Sequence, residues 1–181
     1  FILSPPLRAK EHQEAIWQGI KDGTLQVIAT DHCSFDFHGD KQNGKDDFTK
    51  CPNGAPGVET RMPIVFSEGV SKGRLSLNEF AAVTSTNPAK IFGMYPKKGV
   101  LAPGSDADIV LMNPDMEVTI TKNILHENVD YTPYEGIQVK GWPVMTMVRG
   151  QAVVENERLQ VPLGFGRYIN RKPVKYTELL K

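Results

Sequence analysis

The 181-residue chain reads as an α/β region up to about residue 95, followed by a region of short β-strands. Three observations predict this. "LQVIAT" (25–30) is apolar on both faces, the pattern of a strand in a parallel sheet covered by helices. It follows a helical segment that itself follows an apolar stretch, so strand, helix and strand come in the order of a βαβ unit. From residue 97 onward helical periodicity stops, and alternating segments divided by turn residues take over.

"FIL" (1–3) is read as a strand end, stopped by Ser4-Pro5-Pro6 because proline lacks the ladder donor. Because Phe1 lies inside that apolar segment, the sequence is expected to begin within a longer protein. In "AKEHQEAIWQGIKDG" (9–23), Ala15, Ile16, Gly19 and Ile20 share one helical face and Gly23 suits the stop. After the strand at 25–30, residues 33–60 carry almost no periodicity and several Gly, Asn and Pro breakers. Loops this long are functional or disordered, and Phe35, Phe37, Phe48 and the prolines, Pro52 and Pro56, argue that this one packs down. "RMPIVFSEGVSKG" (61–73) turns Ile64, Val65 and Val70 inward on a helix. The next helix starts at the N-cap candidate Ser76, with Glu79 completing a capping box, and Pro88 is expected to break and restart it.

In the β region, Ala107 to Met112 forms a strand introduced by a Gly-Ser-Asp turn and ended by Asn113-Pro114. "EVTIT" (117–121) alternates, and "VMTMVRGQAVVENERL" (144–159) reads as a hairpin with Arg149-Gly150 at its turn. Residues 161–181 read as an arm; its "GFGRYI" follows no strand and lacks the third glycine of a dinucleotide fingerprint.

Lys plus Arg and Asp plus Glu each number 21, so no net field steers the chain toward nucleic acid or anionic lipid. Two cysteines are too few for a disulfide framework, and no apolar run approaches the roughly 18 residues that span a bilayer. A soluble protein of a reducing compartment is expected, with neither nucleic acid nor membrane as partner.

Asp31 ends the run "QVIATDHC" (26–33). A carboxylate at the carboxyl end of an apolar strand sits where sheets and barrels build sites, and can there ligate a divalent metal, take a proton, or both. The other reading is a turn-capping Asp. Ser4 ends the preceding strand in the same way, so neighbouring parallel strands bring both side chains to one rim. No G-x-S-x-G elbow surrounds Ser4, which leaves a hydrogen bond to a ligand or a helix N-cap. His32, Cys33, His38 and Cys51 lack zinc-knot spacing: the cysteines read as buried thiols and His32 as structural. His126 reads as exposed, and Asn53-Gly54 as a turn. Asp36, Asp40, Asp46 and Asp47 lack the register of a calcium loop and read as solvated.

The stretches "SPPLR" (4–8), "TDHCSFDF" (30–37), "GKDDFTKCPNGAPGVETRM" (44–62), "LAPGSDADIVLMNPD" (101–115) and "NVDYTPYEGIQVKGWPV" (128–144) together resemble the C-terminal part of the dihydropyrimidinase and hydantoinase family, within the amidohydrolase superfamily. The resemblance implies a (β/α)8 TIM-like barrel with a small β-sandwich. Residues 1–95 would hold the last barrel strands and helices, 96–160 sandwich strands, and 161–181 an arm in oligomer contact. It implies a cytoplasmic homotetrameric enzyme that opens a dihydropyrimidine or 5-substituted hydantoin ring to the N-carbamoyl amino acid, using a zinc-bound hydroxide. By the same resemblance Asp31 ligates one of two zinc ions and shuttles the proton, Ser4 and the backbone at Asn53 bind the imide edge of the small-molecule substrate, and the long loop forms a pocket wall lined by Cys33.

One departure is large. The family's H-x-H pair, zinc-bridging carboxylated lysine and two further histidines lie upstream, and His12, His32, His38 and His126 do not match them. The chain as it stands is therefore not expected to hold a binuclear site. The alternative, from another class, is a non-catalytic tetrameric scaffold of the collapsin-response-mediator type. Those relatives lack the metal-binding acid at this strand tip, whereas Asp31 is present here.

Overall fold

The structure, a computed structural model, describes residues 2–174. Helix α1 (Gln13–Lys21) follows a 3-10 turn over Lys10–His12. It buries Ile20 against Leu75 and Val83, with Trp17 and Ile28 packed beside them. Ile16, expected on the inner face, is 49% exposed. Leu25 doubles back over α1, its N–H donating to the Gly19 carbonyl at 2.7 Å, and the buried face is rotated toward Trp17.

The two segments expected as strands join no ladder among the described residues. A strand exists only through its partner, and here the backbone groups go elsewhere. Ile28 donates its N–H to the Val83 carbonyl (3.2 Å) and accepts from the Arg61 guanidinium (2.9 Å). The Ile2 carbonyl accepts from Gly54 N–H (3.4 Å). No βαβ unit is therefore formed among the described residues.

Residues 33–60 contain only two 3-10 turns, Lys41–Gly44 and Phe48–Lys50. This segment packs down, with Pro56 buried and Phe35 half-buried as expected, whereas Phe48 is 72% exposed and Phe37 41%. Its other anchors are polar. Phe37 and His38 donate their N–H groups to the Asp130 carboxylate at 2.6 and 2.8 Å. The His38 N–H above all, with that of Phe37, holds this carboxyl below its usual range.

Helix α2 (Arg61–Val65) runs into a π-helical turn, Phe66–Ser71, and buries Val65 and Phe66 against Phe80. Helix α3 (Leu77–Ala81) starts with the expected capping box: Ser76 Oγ accepts Glu79 N–H and the Glu79 carboxylate accepts Ser76 N–H. Pro88 does not break it. A π stretch, Ala82–Thr86, leads directly into α4 (Asn87–Ile91), so the change from the α to the π register falls just before Pro88 and the helix runs on through it.

The sheet is antiparallel in the order β1-β2-β3-β4, with β1 Ile109–Thr119, β2 Gln138–Val148, β3 Gln151–Glu155 and β4 Arg158–Leu159. Asn113-Pro114 does not end β1. The register slips between Asn113 and Glu117, where the strand bulges around the proline and continues through Val118. The Arg149-Gly150 turn is as expected, with φ of +53° and +79°. Ile120, Leu125, Val139 and Trp142 form the core under the sheet. Residues 161–174 run extended; Lys172 N–H donates to the Gly93 carbonyl, and the Arg149 guanidinium lies 4.4 Å from the Phe165 ring centroid. The rest of the expected arm, 175–181, lies outside the described residues.

The sheet meets the helical region at Gly141, whose φ is +101° and where a Cβ would lie 2.1 Å from the Phe66 ring. Gly141→Ala combines backbone strain with overpacking of a buried ring. It is expected to cost about 2–4 kcal/mol of unfolding free energy in the full-length protein, measured by equilibrium denaturation.

Candidate active site

Ser4, Asp31 and Asn53 line one cleft of about 570 Å3. Asp31 adopts φ +47°, a left-handed conformation that Asp tolerates better than most residues. Asp22 and Asp47 both cap turns, accepting the N–H groups of Thr24 and Thr49. The exposed Asp31 carboxylate accepts no such bond among the described residues, so the turn-cap reading does not hold. Nor is Ser4 a helix N-cap, because the first helical turn begins at Lys10, after Ala9.

The wall opposite, residues 52–59, has no strand to pair with. The carbonyls of Pro52 and Gly54 accept from the Lys41 ammonium at 2.5 and 2.7 Å. The Ala55 carbonyl accepts from Cys33 N–H (3.2 Å). His32 Nδ1 accepts from both Gly57 N–H (3.1 Å) and Val58 N–H (3.2 Å), which assigns its ring proton to Nε2. Glu59 N–H donates to the Glu127 carboxylate (3.0 Å). Asn53 alone in the Pro52–Gly54 turn keeps both its N–H and its C=O unengaged among the described residues. Gly54, at φ +129°, passes so close to Cys33 that a Cβ would lie 2.5 Å from the Cys33 carbonyl oxygen.

His32 is thus the structural residue expected. Cys33 is not the buried thiol its spacing suggests: it is exposed and lines the cleft, as the resemblance implies. Cys51 is half-buried, packed against Gly44. His126 is exposed, as expected, yet its ring lies 2.7 Å from the Glu59 carboxylate. Sequence reasoning missed Tyr134, which comes from the β region and closes the cleft, its ring 3.6 Å from where a Gly57 Cβ would be. Burial, with the Glu127 carboxylate second, pushes its phenol pKa up. No periodicity marks it; only its place in a turn-rich stretch between two strands sets it apart.

A metal would find one exposed carboxylate here, that of Asp31. Among the described residues no group of three or more His, Cys, Asp and Glu side chains is placed to hold an ion, so these residues do not by themselves make a metal centre.

The family model of the amidohydrolase family matches residues 2–153. The chain is 48% identical over 180 residues to a D-hydantoinase of Geobacillus stearothermophilus, covering 99% of this chain and 38% of that protein. It is 47% identical over 173 residues to a D-phenylhydantoinase of Escherichia coli, covering 96% and 38%. Among solved structures, a dihydropyrimidinase from Brevibacillus agri superposes with a TM-score of 0.94 at 50% identity, covering 97% of this chain and 38% of its own. The chain belongs to the amidohydrolase family. Within that family, its likeness is to the hydantoinases and dihydropyrimidinases, of which it spans about 38% of the length.

The bond to Glu59 raises the His126 imidazole pKa above its ordinary value of about 6.5. A raised folded-state pKa contributes stability that is full below the unfolded value and lost as pH rises through the folded one. Wild-type full-length protein should therefore exceed His126→Gln in urea midpoint most clearly at pH 5.5, the gap narrowing at alkaline pH. A gap that does not change with pH would mean the pair contributes nothing through ionisation.

Proposed function

We propose that this chain forms one wall of the active site of a metal-dependent cyclic amidohydrolase. The enzyme would open dihydropyrimidine or 5-substituted hydantoin rings to N-carbamoyl amino acids. The observation that carries this reading is that Ser4, Asp31 and Asn53 line one cleft, with the peptide groups of Asn53 unengaged among the described residues.

A cyclic imide presents alternating carbonyl acceptors and an N–H donor along one edge. Asn53 offers the complement, an N–H and a C=O within one residue, and Ser4 Oγ can donate or accept beside it. Held by that edge, the ring has its scissile C–N bond oriented toward Asp31, and orientation of this kind is a large part of catalytic rate. Zinc ions, with Asp31 as one ligand, would supply a lowered water pKa and a polarised carbonyl. Asp31 accepts the proton lost by the attacking water as the C–O bond forms, and returns it to the ring nitrogen as the C–N bond breaks. The remaining ligands, a carboxylated lysine included, would come from the part of the longer protein that this chain does not span.

On this reading the region up to 95 contributes the last strands and helices of a barrel, and 96–160 the strands of a sandwich. Exposed Leu163 and Tyr168 support an oligomer contact for the arm, such as a homotetramer requires. Two free cysteines accord with a cytoplasmic enzyme, and no helix among the described residues is long and apolar enough to cross a membrane. The scaffold alternative has the acid at position 31 against it.

In the full-length protein, Asp31→Ala should lower kcat for dihydrouracil or hydantoin by at least about 10³-fold. Ser4→Ala should mainly raise KM, by about tenfold. Wild-type protein should carry zinc whose removal by chelation abolishes hydrolysis. Near-normal turnover by the Asp31 variant would end this mechanism, and a folded metal-free protein would favour the scaffold.

A further inference from the structure

Lys41 is buried, with 9% of its surface exposed, and forms no ion pair with a carboxylate among the described residues. Taking an ammonium out of water is costly unless its donors are satisfied. Here two of them are, by the carbonyls of Pro52 and Gly54, and the Phe35 ring lies 5.5 Å from the nitrogen. Those carbonyls flank Asn53.

A trans peptide unit is planar, and its N–H points opposite to its C=O. With the Pro52 carbonyl drawn to Lys41, the N–H of Asn53 is turned away from the ammonium. The next unit is held by the Gly54 N–H on the Ile2 carbonyl, which turns the Asn53 C=O away from Ile2. Lys41 then takes the Gly54 carbonyl as well, so the turn is gripped on both sides of the residue whose own groups stay open.

We propose that Lys41 is a positioning residue. Its ammonium fixes the peptide planes around Asn53 and so sets how tightly the site grips the imide edge of a cyclic substrate. The proposal rests on the functional reading above, and touches neither Asp31 nor the metal. Removing the ammonium should loosen the turn and weaken ground-state and transition-state binding alike, which appears in KM and leaves kcat nearly unchanged.

The test uses the full-length, zinc-loaded protein and Lys41→Met, which keeps the length of the stem. KM for dihydrouracil or hydantoin should rise about tenfold or more, with kcat within about threefold of wild type and zinc content unchanged. Amide hydrogen exchange at Gly54 and Cys33, whose N–H groups donate to the Ile2 and Ala55 carbonyls, should accelerate. Lys41→Arg, which retains two N–H donors, should recover part of the affinity. If Lys41→Met does not fold, Lys41→Gln, able to reach one carbonyl, should show the same KM effect in smaller measure. KM within twofold of wild type, loss confined to kcat, or unchanged exchange at Gly54 and Cys33 would each overturn the proposal. Wild-type protein that hydrolyses no cyclic amide overturns the functional reading instead, and the exchange comparison still decides whether Lys41 holds the turn.

Discussion

Glu59 and Glu127 exchange hydrogen bonds across the molecule: Glu59 N–H donates to the Glu127 carboxylate, and the N–H groups of His126 and Glu127 donate to that of Glu59. This reciprocal pair is the joint on which the site depends. The residues between Cys33 and Thr60 have no ladder, so their N–H groups need acceptors from elsewhere. One short stretch of the β region supplies them, Glu127 to Glu59 and Asp130 to Phe37 and His38. Charge-assisted bonds of this kind are stronger than neutral ones, and they tie the loop to the β region at two points.

The same joint brings Tyr134 to the cleft. Residues 127–134 are docked by their acids onto the loop, so Pro133 and Tyr134 close a cleft whose other walls come from residues before 58. The switch in composition near residue 95 marks a change of secondary structure, while the cleft takes residues from both sides of it. The position of Glu127 has a cost: one carboxylate oxygen is buried without a partner among the described residues. The other oxygen holds the loop, and lies 3.8 Å from the His32 nitrogen that grips the next two N–H groups along.

What could be read from the sequence is what local chemistry decides. The Ser76–Glu79 capping box and the Arg149-Gly150 turn each rest on residues close in the chain, and both are as expected. Ser4 and Asp31 stand out by their places at the ends of apolar runs, Asn53 only through the family resemblance, and all three line one cleft. What was illegible depends on distant partners. Residues 25–30 have a strand's composition, yet their groups are taken by a helix carbonyl and by Arg61. Phe48 is expected to anchor the loop because it is apolar, yet it is exposed, while Lys41, polar and unremarked, is buried along with Pro56 and Thr60. Burial of a lysine cannot be read from composition, since it needs two carbonyls brought together by a fold.

The division of labour around Asp31 follows from these contacts. Its neighbour His32 spends Nδ1 on the backbone of Gly57 and Val58, and Cys33 spends its N–H on Ala55, so both residues after the acid are tied to the opposite wall. The left-handed turn at Asp31 is held by that tether and need not be stabilised by the carboxylate itself. A side chain relieved of structural work is free to face a ligand. An acid that capped its own turn would have its lone pairs occupied by backbone N–H groups, as those of Asp22 and Asp47 are. The neighbours' bonds are therefore what leave Asp31 chemically available.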